Sequence, residues 1–156
     1  TNDSSLKLSV QLADAALPYL YPNQYVWYTA DSKAVAIGAE VAGNKSTAAD
    51  KVAAVRKYVT SHITYDYTLA VTVQSGYLPS VDHVLSTGKG ICFDYAVLTA
   101  CMLRSQGVPT KLAIGWADTI YHAWNYALVD GDWVMVDTTA EANNMHVKNY
   151  TEERIY

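Results

Sequence analysis

The sequence predicts an α+β fold, helices first and an antiparallel sheet last. Three observations carry this. Within "STAADKVAAVRKYVTSHI" (46–63), Val52, Val55, Val59 and Ile63 repeat at helical spacing. Three strand-like runs crowd into residues 110–139, and the last two are joined by Asp130-Gly131, the strongest short hairpin signal. The 156 residues are 51% hydrophobic and 17% charged. That length and balance suit one globular domain able to bury roughly two-thirds of its unfolded surface.

Taken in order, "LKLSVQL" (6–12) alternates apolar and polar residues and predicts a short strand. "PYLYPNQYVWY" (18–28), with its prolines and aromatics, predicts an extended, packed connector. A short helix is expected over 31–43, capped by Ser32 and stopped at Gly43. The helix over 46–63 opens with Thr47 and Asp50 in capping-box positions. "SVDHVLST" (80–87) offers one or two helical turns behind Ser80. A longer helix runs from about Ile91 to Gln106 and ends at Gly107-Val108-Pro109. The strands follow as "TKLAIGWA" (110–117), "YHAWNYALV" (121–129) and "DWVMVDTT" (132–139). No internal repeat or low-complexity tract interrupts them.

A net charge of −4 gives no reason to expect a nucleic-acid partner, and no apolar run approaches the ~20 residues of a membrane span. The absence of an initiator methionine and of a leader pattern suggests a processed N-terminus. Cys92 and Cys101 are the two cysteines. Placed on one helix they stand about 13.5 Å apart in rise, beyond the ~7 Å a disulfide tolerates.

Candidate chemistry begins at "GKGICFDYA" (88–96). Cys92 sits in the first turn of the predicted helix, where unpaired amides and the positive end of the helix dipole favour an anion. That setting favours a thiolate, and the Cys92 amide could supply half an oxyanion hole. Gly88 and Gly90 would let the chain bend and leave room above the thiol. Position alone leaves a nucleophile and plain packing equally open.

A thiolate works best beside an imidazole that is itself oriented by an acceptor. His122 opens a predicted strand, and Asp137 closes an apolar run on the next. His122 could equally be a satisfied surface or core side chain, and Asp137 could cap a turn through the Thr138 and Thr139 amides. A two-residue turn at 130–131 pairs Val129 with Asp132, which sets His122 and Asp137 as diagonal neighbours on one face. Diagonal neighbours lie about 7–8 Å apart, within reach of a His–Asp hydrogen bond. Zinc ligands usually come in tight local pairs, and none is present, so a Cys92–His122–Asp137 metal site is disfavoured and no cofactor is expected.

"GKGICFDYAVLTACMLRSQGVPTKLAIGW" followed by "YHAWNYALVDGDWVMVDTT" resembles the catalytic core of the transglutaminase-like superfamily, over about residues 46–139. "VQSGYLPSVDHVLSTGKGICFDYA" is similar to bacterial secreted or surface members. The resemblance implies a papain-like core, the cysteine helix packed on a small antiparallel sheet. It implies one catalytic domain over 1–156, with 1–30 an N-terminal strand and connector. It assigns Cys92 as nucleophile, His122 as general base and acid, and Asp137 as orienter, at an extracellular or cell-surface location. There is no room for the calcium-binding and β-sandwich domains of animal transglutaminases. The second oxyanion donor is open: Gln74 is the candidate, with the Tyr65 and Tyr77 hydroxyls as rivals. Tyr77, Tyr95, Tyr121 and Trp124 are candidates for a substrate groove, and Trp124 and Trp133 are expected to pack around the triad.

The implied activity is cysteine-dependent acyl transfer or hydrolysis on protein or peptide amides, through a thioester resolved by water or by an amine. A cell-wall peptide is one such substrate. The alternative is a non-catalytic peptide- or cell-wall-binding module on the same fold.

Overall fold

The computed structural model describes residues 15–156. The strand expected at 6–12 lies outside them. A 3₁₀ turn at Leu17–Leu20 leads into an irregular connector in which Val26 is fully buried. Two helices follow, α1 (Lys33–Ala42) and α2 (Ala48–His62). Thr47 caps α2 by accepting from the Asp50 amide at 3.1 Å. Val52, Val55 and Val59 form its buried stripe, as their spacing predicts. Ser32 precedes α1, but its hydroxyl accepts from the Thr29 amide instead of capping the helix. Gly43 ends α1 in a right-handed conformation, not as a left-handed stop.

Between α2 and the cysteine helix lie elements the apolar pattern did not announce. A parallel pair of two-residue strands, β1 (Thr64–Tyr65) and β2 (Lys89–Gly90), brackets the helices α3 (Tyr67–Thr72) and α4 (Val81–Thr87). Asp66 caps α3 through the Leu69 amide, and Ser80 caps α4 through the His83 amide. Gly88 takes the left-handed conformation (φ 66°) that closes α4.

Helix α5 (Cys92–Ser105) is the centre of the molecule, with every residue from Asp94 to Arg104 buried. It packs on α1, α2 and a four-stranded antiparallel sheet made of β3 (Thr110–Ala117), β4 (Ile120–Val129), β5 (Asp132–Val136) and β6 (Tyr150–Ile155). The sheet order is β5-β4-β3-β6. The architecture is therefore the α+β arrangement expected, a cysteine-bearing helix on a small antiparallel sheet. Val129 pairs with Asp132 across the Asp130-Gly131 turn, and the register runs on to Asn125 opposite Val136.

Three departures matter. β5 stops at Val136, because Asp137 leaves the ladder to cap a short helix α6 (Thr138–Ala142). The charged stretch "YTEERI" forms β6, which polar composition had hidden; its outer edge is lined by Glu152, Glu153 and Arg154, a charged edge that resists strand pairing. Where β6 meets β3 the register slips at Ile114/Gly115. The strands come so close there that a Cβ on Gly115 would lie 2.0 Å from the Thr151 carbonyl oxygen.

Arg104 ties these layers together. Its buried guanidinium donates to the Thr110, Tyr21 and Tyr156 carbonyls at 2.8, 2.7 and 3.0 Å, joining α5 to β3, the connector and the chain's end. Cys101 is fully buried on α5, and both cysteines are free thiols. Among the described residues, no helix is long and apolar enough to cross a membrane.

Candidate active site

Cys92 is the first residue of α5, half-buried, with Ile91 in the N-cap position. Ile91 has no side-chain acceptor, so the cap is supplied from inside the helix. The Asp94 carboxylate reaches back to accept the Ile91 amide at 2.9 Å. Its other oxygen accepts the Tyr77 hydroxyl at 2.6 Å. Burial pushes the Asp94 pKa up, and these two hydrogen bonds offset part of that rise. Gly90 serves this carboxylate rather than the space above the thiol: a Cβ there would sit 2.6 Å from that of Asp94. The Tyr77–Asp94 bond pins the 73–80 loop to the head of α5. Asp94 carried no signal in the sequence reading, since an acid in a helix's first turn is ordinary.

His122 and Asp137 meet as the hairpin register requires. His122 Nε2 and Asp137 Oδ2 are 2.8 Å apart, with the side chains 3% and 7% exposed. With Nε2 committed to Asp137, Nδ1 is the nitrogen left for Cys92, which lines the same cleft. Burial alone would lower the imidazole pKa. The hydrogen bond to the Asp137 carboxylate, with the neighbouring Cys92, outweighs it and raises the pKa to about 9. The ring is held as an imidazolium against the Asp137 carboxylate.

Asp137 binds His122 and caps a helix at once. Oδ2 accepts from His122 and from the Tyr150 hydroxyl, the latter at 2.8 Å. Oδ1 accepts the Ala140 amide at 3.0 Å, which caps α6. The turn-capping role is real, but its donor is the Ala140 amide, not those of Thr138 and Thr139. Three donors on two oxygens explain an aspartate here, because asparagine offers a single acceptor oxygen. Tyr150 was missed with β6. Burial, followed by its bond to Asp137, raises its pKa strongly, so it remains a hydroxyl donor.

The other candidates divide. Trp124 is 1% exposed and does not line a groove; it stacks beside His122 (centroids 6.1 Å) and packs on Tyr150 (4.9 Å). Tyr95 is fully buried and donates its hydroxyl to the Ile63 carbonyl at 2.8 Å, so it is a core residue. Trp133 packs on Tyr19 and under Lys111, not around the triad. Cys92 and His122 open into a cleft of about 520 Å³, which Gln74, Tyr65, Tyr77 and Tyr121 also line. The Tyr77 hydroxyl is spent on Asp94, which leaves Gln74 and Tyr65 of the three oxyanion candidates. A larger open groove of about 620 Å³ on α1 and α2 contains none of the three central residues. Among the described residues, no cluster of three or more His, Cys, Asp or Glu side chains is arranged to hold a metal.

Residues 35–138 match the family described as the transglutaminase-like superfamily. The chain is 28% identical over 95 residues to a UPF0252 protein of Methanocaldococcus jannaschii, covering 53% of this chain and 27% of that one. Its fold is similar to that of a candidate cysteine protease of Cytophaga hutchinsonii (TM-score 0.67, 18% identity, 91% of this chain and 54% of that one). It is likewise similar to the periplasmic domain of TgpA from Pseudomonas aeruginosa (TM-score 0.64, 22% identity, 85% and 49%). The chain thus spans about half of each solved structure and about a quarter of the archaeal relative. On the strength of the family match across most of its length, the chain belongs to the transglutaminase-like superfamily.

Proposed function

We propose that the protein is a cysteine-dependent enzyme of acyl transfer or hydrolysis acting on protein or peptide amides. One observation carries the reading: a thiol at a helix N-terminus shares a cleft with an imidazole whose Nε2 is fixed by a buried carboxylate. In the sequence of steps this supports, the Cys92 thiolate attacks the amide carbonyl carbon. The C=O electron pair moves onto oxygen, facing the first-turn amides of α5 and the Gln74 side of the cleft. The C–N bond then breaks as His122 gives its Nδ1 proton to the leaving nitrogen. The thioester is resolved when water or an amine attacks it, His122 takes up the proton, and the Cys92 thiolate departs. Asp137 holds Nε2–H throughout, fixing the tautomer and steadying the imidazolium. Likeness to a periplasmic domain supports a working site outside the cytoplasm.

Alkylation with iodoacetamide tests the pair at the centre of this reading. Cys92 is expected to react at pH 6 far faster than Cys101, which is fully buried and whose thiol pKa burial pushes up strongly. The His122→Ala variant should lose that advantage. Equal rates for wild type and variant would break the Cys92–His122 link.

A further inference from the structure

The cleft beside Cys92 is lined mostly by aromatic and apolar side chains, and among the described residues it carries one formally charged group apart from His122, the guanidinium of Arg154. Arg154 stands on β6, opposite Ile114, whose partner on the other side is Ala123, the residue after His122. The position is a consequence of the irregularity in that ladder. Thr151 pairs with Trp116 and Glu152 with Gly115, so an unbroken register would set Glu153 opposite Ile114. The slip leaves Glu153 unpaired and moves Arg154 into the row instead. Glu153 turns away to accept the Trp116 indole N–H at 2.8 Å. Gly115 permits the slip, since any side chain there would collide with the Thr151 carbonyl. A one-residue bulge thus replaces an acid with a base on the wall of the cleft.

Arg154 forms no ion pair among the described residues. It is exposed, and it lines the cleft together with Tyr156, whose ring packs on Tyr25 at 4.1 Å. An arginine fork beside tyrosine rings matches the geometry of a carboxylate, which can accept two parallel N–H bonds. The chain's net charge of −4 would not draw acidic ligands broadly, so any such preference must be local to this fork.

We propose that Arg154 forms a carboxylate subsite of the cleft, selecting peptides that carry an acidic group near the amide presented to Cys92. The proposal rests on the acyl-transfer reading for the word "substrate", but not for binding. β6 lies two strand spacings from β4, about 10 Å, which is about three residues of an extended peptide. The acidic group therefore belongs two to three residues from the reacting carbonyl, on the side of the cleft toward β6.

The test is retention of a random hexapeptide library on immobilised Cys92→Ala protein, which binds without reacting. Peptides with Asp or Glu should be retained about five- to tenfold over their Asn or Gln counterparts. Adding Arg154→Gln should abolish the difference, and Arg154→Lys should keep part of it. Libraries with free and with amidated C-termini tell a terminal carboxylate from a side-chain one, and either supports the subsite. Equal retention of acidic and neutral peptides, no retention of either, or a preference that survives Arg154→Gln overturns it. Acid-selective retention by a protein that turns over no peptide would remove the enzymatic reading and leave the subsite standing. Turnover without acid selectivity would do the reverse.

Discussion

Asp137→Asn separates an orienting carboxylate from a mere cap, and its effect follows from three hydrogen bonds. The native side chain accepts from His122, Tyr150 and the Ala140 amide and donates to none. Asparagine keeps the size and loses acceptors. If its oxygen stays on the Ala140 amide, its NH₂ faces His122. The imidazole must then accept at Nε2 and carry its proton on Nδ1, the tautomer that cannot take a proton there during thioester resolution. If the amide flips, the oxygen serves His122, but NH₂ meets the Ala140 N–H and α6 loses its cap. A lost cap costs about 1 kcal/mol, and a buried donor left facing a donor about 1–3 kcal/mol. Either orientation removes the charge that steadies the imidazolium. In the serine-protease case the equivalent change costs about 10⁴ in turnover. A thiolate–imidazolium pair can form without its third member, so a loss on the order of 10²–10⁴ is expected here. At about 2–4 °C per kcal/mol for a chain of this size, the melting temperature should fall by several degrees. Turnover of a peptide p-nitroanilide and a thermal melt together read both effects. Near-full turnover with a lowered melting temperature would refute the reasoning, making Asp137 a cap alone and leaving a Cys92–His122 dyad.

Tyr150→Phe leaves the His122–Asp137 bond in place and removes one of its supports. Turnover should fall about tenfold and stability by about 1 kcal/mol, with the pH–rate profile displaced because Asp137 becomes the stronger acceptor; an unmoved profile would make Tyr150 packing only. His122 also makes stability depend on pH in a definite direction. Folded, the imidazole holds its proton to about pH 9, against about 6.5 for the ordinary group. Its contribution is therefore complete below about pH 6.5 and is lost as the pH rises through about 9, on the order of 3 kcal/mol over that window. Urea unfolding at pH 6 and pH 9.5 should show the wild type losing that much more than His122→Phe.

How much of this was legible depends on whether the determinant was local. The Asp130-Gly131 turn sets its own register, so the approach of His122 to Asp137 followed from counting residues. The valine stripe of α2 and the punctuation before Cys92 were equally local. β6 was not, because its polar side chains lie on an exposed edge and its place is fixed by backbone pairing with β3, which leaves no hydrophobic alternation. With β6 went Tyr150, Arg154 and the bulge. Tyr95 and Trp124 were assigned to a groove on residue type, but aromatic residues suit cores as well as clefts, and depth is decided by distant packing. Asp94 was passed over for a similar reason: only the folded loop brings the Tyr77 hydroxyl to it.

The central claim is that Cys92 carries the acyl group, and the direct measurement is capture of that species. Mixing the protein with p-nitrophenyl acetate should release a burst of nitrophenol close to one equivalent per chain, followed by slow turnover. Acid quenching during the burst and mass spectrometry of the digested protein should find one acetyl group, on the peptide bearing Cys92. Cys92→Ala should show neither burst nor adduct, while Cys101→Ala should show both. A burst that survives Cys92→Ala, or acetyl found on lysines with Cys92 unmodified, would contradict the account.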